Sequence, residues 1–167
     1  MKKSTHQKLK ILFAQESESH ARNQLYAKRA RIDDRLRLSD CLSAVASAED
    51  VHSRRVLMHL RGKMKDLQDY CEELLEKKRE DAENLFPELS TELEADGRKT
   101  PAEMLEQFGK VAANHAKLLS EAMTSDPEKQ QQFYVCQVCG YILTQGRPGR
   151  CPVCEAVSSR FKLEASS

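Results

Sequence analysis

The sequence predicts an all-α bundle of four long helices followed by a small C-terminal module of short strands held by a metal, and three observations carry that prediction. Charged residues are 32% of the 167-residue chain and aromatic residues only 5%, with six Gly and no Trp, which favours long amphipathic helices over sheets. Apolar residues recur at helical spacing through four successive stretches. Two Cys-x-x-Cys pairs, Cys136/Cys139 and Cys151/Cys154, lie eleven residues apart near the end of the chain.

The first helix runs from Ser4 to about Ile32 and carries two competing stripes. One reads Ile11, Ala14, Ala21, Leu25 and Ile32, with Glu18 on it; the other reads Leu9, Leu12, Ala27 and Ala30, with Glu16 on it. Periodicity alone does not choose between them. A second helix starts near Asp34 and places Glu49 and His52 in a seam with Leu38, Leu42, Val45, Val56 and Leu60. A carboxylate and an imidazole facing a core need a partner there. Gly62 interrupts this helix or turns the chain. The third stripe is Leu67, Cys71, Leu74, Lys78, Asp81, Leu85 and Leu89, with Pro87 expected to kink the helix or break its hydrogen-bond ladder. Gly97 fits a stop. Thr100-Pro-Ala-Glu103 then opens the fourth helix with Pro at its first position and a capping box. That helix shows Met104, Phe108, Val111, Ala112, His115, Leu118 or Leu119, and Ala122. A polar linker follows, so the expected division is 1–124 for the helices, 125–132 for the linker and 133–167 for the cysteine module.

In that module each Cys-x-x-Cys forms a turn whose backbone N–H groups can point at the sulfurs, and two such turns make a tetrahedral cage for zinc or iron. Gly140 permits the close turn after the second cysteine, and Pro152 stiffens the next. Two disulfides are the competing reading, but this spacing in a reducing compartment points to metal. Cys41 and Cys71 fall on apolar stripes and read as buried core thiols. The formal net charge of +1 gives no general pull toward nucleic acid or anionic membrane. No apolar run is long enough for a signal peptide or a membrane span, so the expected location is the cytoplasm. His6, His20 and His59 carry no spacing signal, and the acidic run Glu72, Glu73, Glu76, Glu80 and Glu83 reads as a solvated face.

Glu18-Ser-His-Ala-Arg-Asn23, Glu49-Asp-Val-His52, Asn84-Leu-Phe-Pro-Glu-Leu89, His115 and the four-cysteine tail together resemble the rubrerythrin family, along roughly the full length of the chain. The resemblance implies a ferritin-like four-helix bundle joined to a rubredoxin-like domain, and it selects Glu18 over Glu16. It implies a bundle metal set of Glu18, Glu49, His52, Asp81 and His115, because carboxylate bundles of this kind hold metal with inward Glu and Glu-x-x-His motifs. Two departures stand against a full di-iron centre. Lys78 and Asp81 occupy positions where the family has two glutamates, and Ala112 stands where the fourth helix should carry one. Fewer than two bundle irons are therefore expected, with Lys78 substituting for part of the metals' charge. Without the resemblance, Glu49 with His52 reads as a satisfied polar pair, and His115 as a hydrogen-bonded core histidine.

The function implied is non-haem iron redox chemistry: electrons pass from a reductase through iron, or zinc occupies the tail and only the structure is served. Peroxide reduction follows if the bundle still binds metal. The alternative is an electron carrier or interaction protein with a degenerate bundle site. A homodimer is also expected. Ferritin-like topology runs the second and third helices parallel, yet only twenty-five residues separate His52 from Lys78. Exchange of helix pairs between two chains relieves that conflict, as does a simple up-down hairpin.

Overall fold

The computed structural model describes residues 3–62, 65–125, 131–144 and 146–164. The chain divides into two compact units, Met1–Lys65 and Asp66–Ser167. Among the described residues, no helix is long and apolar enough to cross a membrane.

The first unit is a hairpin of α1 (Lys3–Ile32) and α2 (Leu36–Arg61). Asp34 turns the chain between them with φ +55°, and Gly62 ends α2 with φ +74°. The seam between the helices is built from small residues: Ala27, Ala30, Ser39, Ala46 and Ser53 are its buried members. Ser39, Ala46 and Ser53 recur every seven residues, the period of a coiled-coil contact. Small side chains let two backbones approach closely, and His20 uses that approach to donate Nδ1–H to the Ala46 carbonyl across the seam at 2.8 Å. Of the two stripes on α1, the one with Ala27, Ala30 and Glu16 faces α2. The larger apolar stripe, with Ile11, Leu25 and Ile32, is exposed, and Leu38 and Val45 of α2 are exposed likewise. Cys41, expected as a buried thiol, is exposed, and Cys71 is half-buried.

The second unit begins with α3 (Leu67–Glu80), capped by the Asp66 side chain accepting from the Gln68 N–H at 2.9 Å. A π-helical turn, Asp81–Leu85, joins it to α4 (Phe86–Ala95). This turn is where the ladder breaks ahead of Pro87, which has no N–H to donate. Gly97, at φ +74°, closes α4, with the Arg98 N–H donating back to Leu93. The next helix, α5 (Lys99–Thr124), starts two residues earlier than the sequence suggests, and no side chain caps it, so the expected capping box does not form. The α3–α4 arm packs along α5. Phe86 meets Phe108 edge-on at 6.0 Å, and Ser90 Oγ donates to the Ala102 carbonyl at 3.1 Å. At Gly109 a Cβ would lie 3.7 Å from the Ala82 carbonyl oxygen, an ordinary contact distance.

Most of the linker, 126–130, lies outside the described residues. The tail beyond it is an antiparallel sheet of β1 (Phe133–Cys136), β2 (Ile142–Leu143) and β3 (Phe161–Glu164) in the order β2-β1-β3. Its register pairs Val135 with Ile142 and Cys136 with Phe161. This sheet places the first cysteine at the end of a strand, beside the last apolar anchor of the chain.

Candidate metal centre

The two Cys-x-x-Cys segments fold as matching turns. The Gly140 N–H donates to the Cys136 carbonyl and the Glu155 N–H to the Cys151 carbonyl, both at 2.9 Å. The Cys136 N–H then returns to the Tyr141 carbonyl, and the Cys151 N–H to that of Ala156. The residue after the second cysteine is left-handed in both turns: Gly140 at φ +84° and Glu155 at φ +58°. Both turns therefore aim their sulfurs at one point.

All four sulfurs lie within 4.8 Å of one another. Cys136 and Cys154 are 3.7 Å apart at Sγ, and Cys139 and Cys151 are 3.6 Å apart. A disulfide needs about 2.05 Å. Four sulfurs about 2.3 Å from a central ion stand roughly 3.8 Å apart at tetrahedral angles, so the site fits a metal closely. Cys136, Cys139 and Cys151 are buried in a cluster with Val111 and Phe161, ringed by Tyr134, Tyr141 and Leu143. Burial opposes ionisation of Cys136, but the backbone N–H groups of Cys139 and Val138, together with the Cys154 and Cys139 thiols, outweigh it and lower its pKa. Burial wins at Cys139 and Cys154 and raises both, although the N–H groups of Tyr141 and Ala156 oppose it. Thiols that are costly to ionise alone are stabilised as thiolates by a bound cation.

The tail is seated on α5. His115 donates Nε2–H to the Gly140 carbonyl at 3.0 Å, and the Asn114 Oδ1 accepts the Ile142 N–H at 3.1 Å. Val111 reaches the cysteine cluster and stands 3.8 Å from where a Cβ on Gly140 would be. Sequence reasoning placed Val111 on the apolar stripe of this helix and His115 among the possible bundle ligands, and it did not single out Asn114; three residues spaced along one helix face gave no sign that they face the tail. In the neutral ring this bond leaves the Nδ1 lone pair of His115 for an acceptor role.

The candidate bundle ligands are divided between the two units, and neither unit gathers three of them; the four cysteines are the one such cluster among the described residues. Each candidate has another partner. Glu18 is exposed and ion-paired with Arg22. Glu49 is half-buried and accepts from Ser19 Oγ at 2.6 Å and from Asn23 Nδ2 at 2.9 Å. Those bonds, Ser19 first and Asn23 next, hold its carboxyl below the usual range, with His20 and His52 adding to them against the cost of burial. His52 is exposed rather than core-facing, and its Nδ1 lies 3.1 Å from Glu16 Oε2. Asp81 is buried and takes its ion pair from Lys77 Nζ at 2.6 Å. The ammonium on Asp81 is therefore that of Lys77, one helical turn before it, and not that of Lys78; both spacings bring side chains together on a helix.

Comparison with known proteins agrees with this geometry. The family described as the rubrerythrin rubredoxin-like domain matches residues 134–162. A rubrerythrin of Porphyromonas gingivalis is 23% identical over 177 residues, covering 95% of this chain and 88% of that protein. The tail thus matches the rubredoxin-like domain of the rubrerythrins, and the whole chain is similar to a rubrerythrin. Two solved structures of nigerythrin, one described as mixed-valence and one as partially reduced, share the fold at TM-scores of 0.56 and 0.57. Each is 19% identical to the chain, covering 96% of it and 86% of the nigerythrin. The rubrerythrin likeness thus extends beyond the tail to the helices.

Proposed function

We propose that this rubrerythrin relative is a non-haem iron redox protein whose working centre is the four-cysteine site. The observation that carries this is four sulfurs at tetrahedral spacing set directly against a bundle helix. Iron bound by four thiolates supplies reversible one-electron transfer. The chain's own residues do the rest: the turn N–H groups stabilise the sulfurs, Phe161 and Val111 keep water from them, and His115 with Asn114 hold the site against α5. Rubrerythrin-like chemistry would take electrons from a reductase and deliver them toward peroxide. The separate partners of Glu18, Glu49, His52, Asp81 and His115 favour a second reading, an electron carrier with at most a partial bundle site.

Protein made in iron-rich medium is expected to be coloured, to carry about one iron per chain in line with one four-thiolate site, and to reduce peroxide slowly. Cys139→Ser is expected to remove the visible band and most bound iron while sparing helicity by circular dichroism. A colourless native protein with stoichiometric zinc would overturn the redox reading. Two further irons per chain with brisk peroxide turnover would overturn the carrier reading.

A further inference from the structure

We infer that Asn114 and His115 of α5 are positioning residues for the four-cysteine centre, strengthening the hydrogen bonds at Cys139 and Cys136 through the two peptide units around Tyr141 and so raising the reduction potential of iron held there. The effect on potential rests on the iron reading above; the hydrogen bonds do not.

The first of these peptide units joins Gly140 to Tyr141. Its carbonyl accepts from His115 Nε2–H at 3.0 Å, and its N–H, which belongs to Tyr141, donates to the Cys139 sulfur. The second joins Tyr141 to Ile142. Its N–H donates to Asn114 Oδ1 at 3.1 Å, and its carbonyl, which belongs to Tyr141, accepts the Cys136 N–H at 2.9 Å. Each unit is therefore bonded to α5 on one edge and to a cysteine on the other. A peptide whose carbonyl is hydrogen-bonded has a more polarised N–H, and one whose N–H is engaged has a better accepting carbonyl. His115 thereby strengthens the bond to Cys139 Sγ, and Asn114 the bond that fixes Cys136. With Val111 the two residues share one face of α5, so a helix rather than a loop sets these distances.

The other cysteine turn repeats the arrangement with a different donor. The Ala156 N–H donates to the Cys154 sulfur, and the carbonyl of the same peptide unit, that of Glu155, accepts from Arg150 Nη1 at 3.1 Å. The Ala156 carbonyl accepts the Cys151 N–H at 2.8 Å. His115 and Arg150 thus occupy the same place around the centre, one from a bundle helix and one from within the tail. Iron in this cage gains one electron on reduction, from a reductase or from a chemical mediator, and the four thiolates then carry more uncompensated negative charge. Donors on the sulfurs stabilise that form more than the oxidised one, which raises the potential.

The iron-loaded native chain, His115→Leu, His115→Gln and Asn114→Leu are to be titrated against a redox mediator at the visible band. Weakening one bond to a charged sulfur by about 10–30% should move the His115→Leu equilibrium toward the oxidised form about two- to fourfold, which is about 20–35 mV at 59 mV per tenfold. His115→Gln keeps an N–H donor and should recover most of the shift. Asn114→Leu should move the potential in the same direction, and Asn114 is no candidate bundle ligand, so a bundle metal plays no part in that arm. Zinc-loaded protein gives a readout that needs no iron: amide exchange should quicken at Tyr141 in His115→Leu and at Ile142 in Asn114→Leu, with helicity unchanged by circular dichroism. An unchanged potential in both leucine variants would overturn the proposal, as would equal loss in His115→Leu and His115→Gln, or unchanged exchange at both amides. Quickened exchange in a chain that takes up no iron would overturn the redox reading and leave the positioning role of the two residues standing.

Discussion

Glu155 holds a left-handed backbone, φ +58°, where its counterpart in the other turn is Gly140 at φ +84°. A side chain in that conformation costs roughly 1–2 kcal/mol. Glu155→Gly is therefore expected to stabilise the metal-loaded tail by about 0.5–1 kcal/mol, after the entropic cost of a new glycine. Gly140→Ala should destabilise it by about 1–2 kcal/mol, through the backbone alone, since Val111 at 3.8 Å leaves room for a methyl. Chemical denaturation followed at the visible band measures both. At Asp81 the question is charge. Lys77→Met leaves a buried carboxylate without its ammonium and should cost about 1–3 kcal/mol, part of it recovered by adding Asp81→Asn. Gly140 was legible because glycine after a cysteine turn has a backbone reason. Glu155 was not, for glutamate gives no turn signal, and only the symmetry of the two turns exposes its role.

The α1–α2 hairpin shows why helices were easy to find and their facing was not. Periodicity marked both stripes of α1, but the heavier one, with Leu25 and Ile32, is the exposed one. The seam is made of alanine and serine because close-packed helices exclude bulk, so hydrophobic weight pointed the wrong way. Ala46→Leu, at a position 1% exposed, should therefore overpack the seam and destabilise the hairpin by about 1–3 kcal/mol in thermal melts. The Glu49 bonds to Ser19 and Asn23 add a pH dependence. A carboxyl whose pKa is lowered by folding contributes stability that is complete above its unfolded pKa and is lost as pH falls through its folded one. The native chain and Glu49→Gln should accordingly differ most in melting temperature near neutrality and converge on acidification below the usual carboxylate range. A gap unchanged by pH would assign Glu49 a purely packing role. The α3 break was legible in Pro87; that it takes the form of a π turn was not, since proline marks a lost bond without saying how the backbone absorbs it.

Over the whole molecule, a net charge of +1 concealed two halves of opposite sign, because composition sums what position separates. The tail was the most legible part, since four cysteines at fixed spacing specify their own geometry, whereas helices specify theirs only together with whatever covers them. The small-residue seam of the hairpin carries one more implication. A pair of helices joined by alanine and serine removes little apolar surface from water, and apolar exposure is what raises the heat capacity of an unfolding chain. Melting of the hairpin should therefore carry an unusually small heat-capacity change, and its stability should curve only gently with temperature.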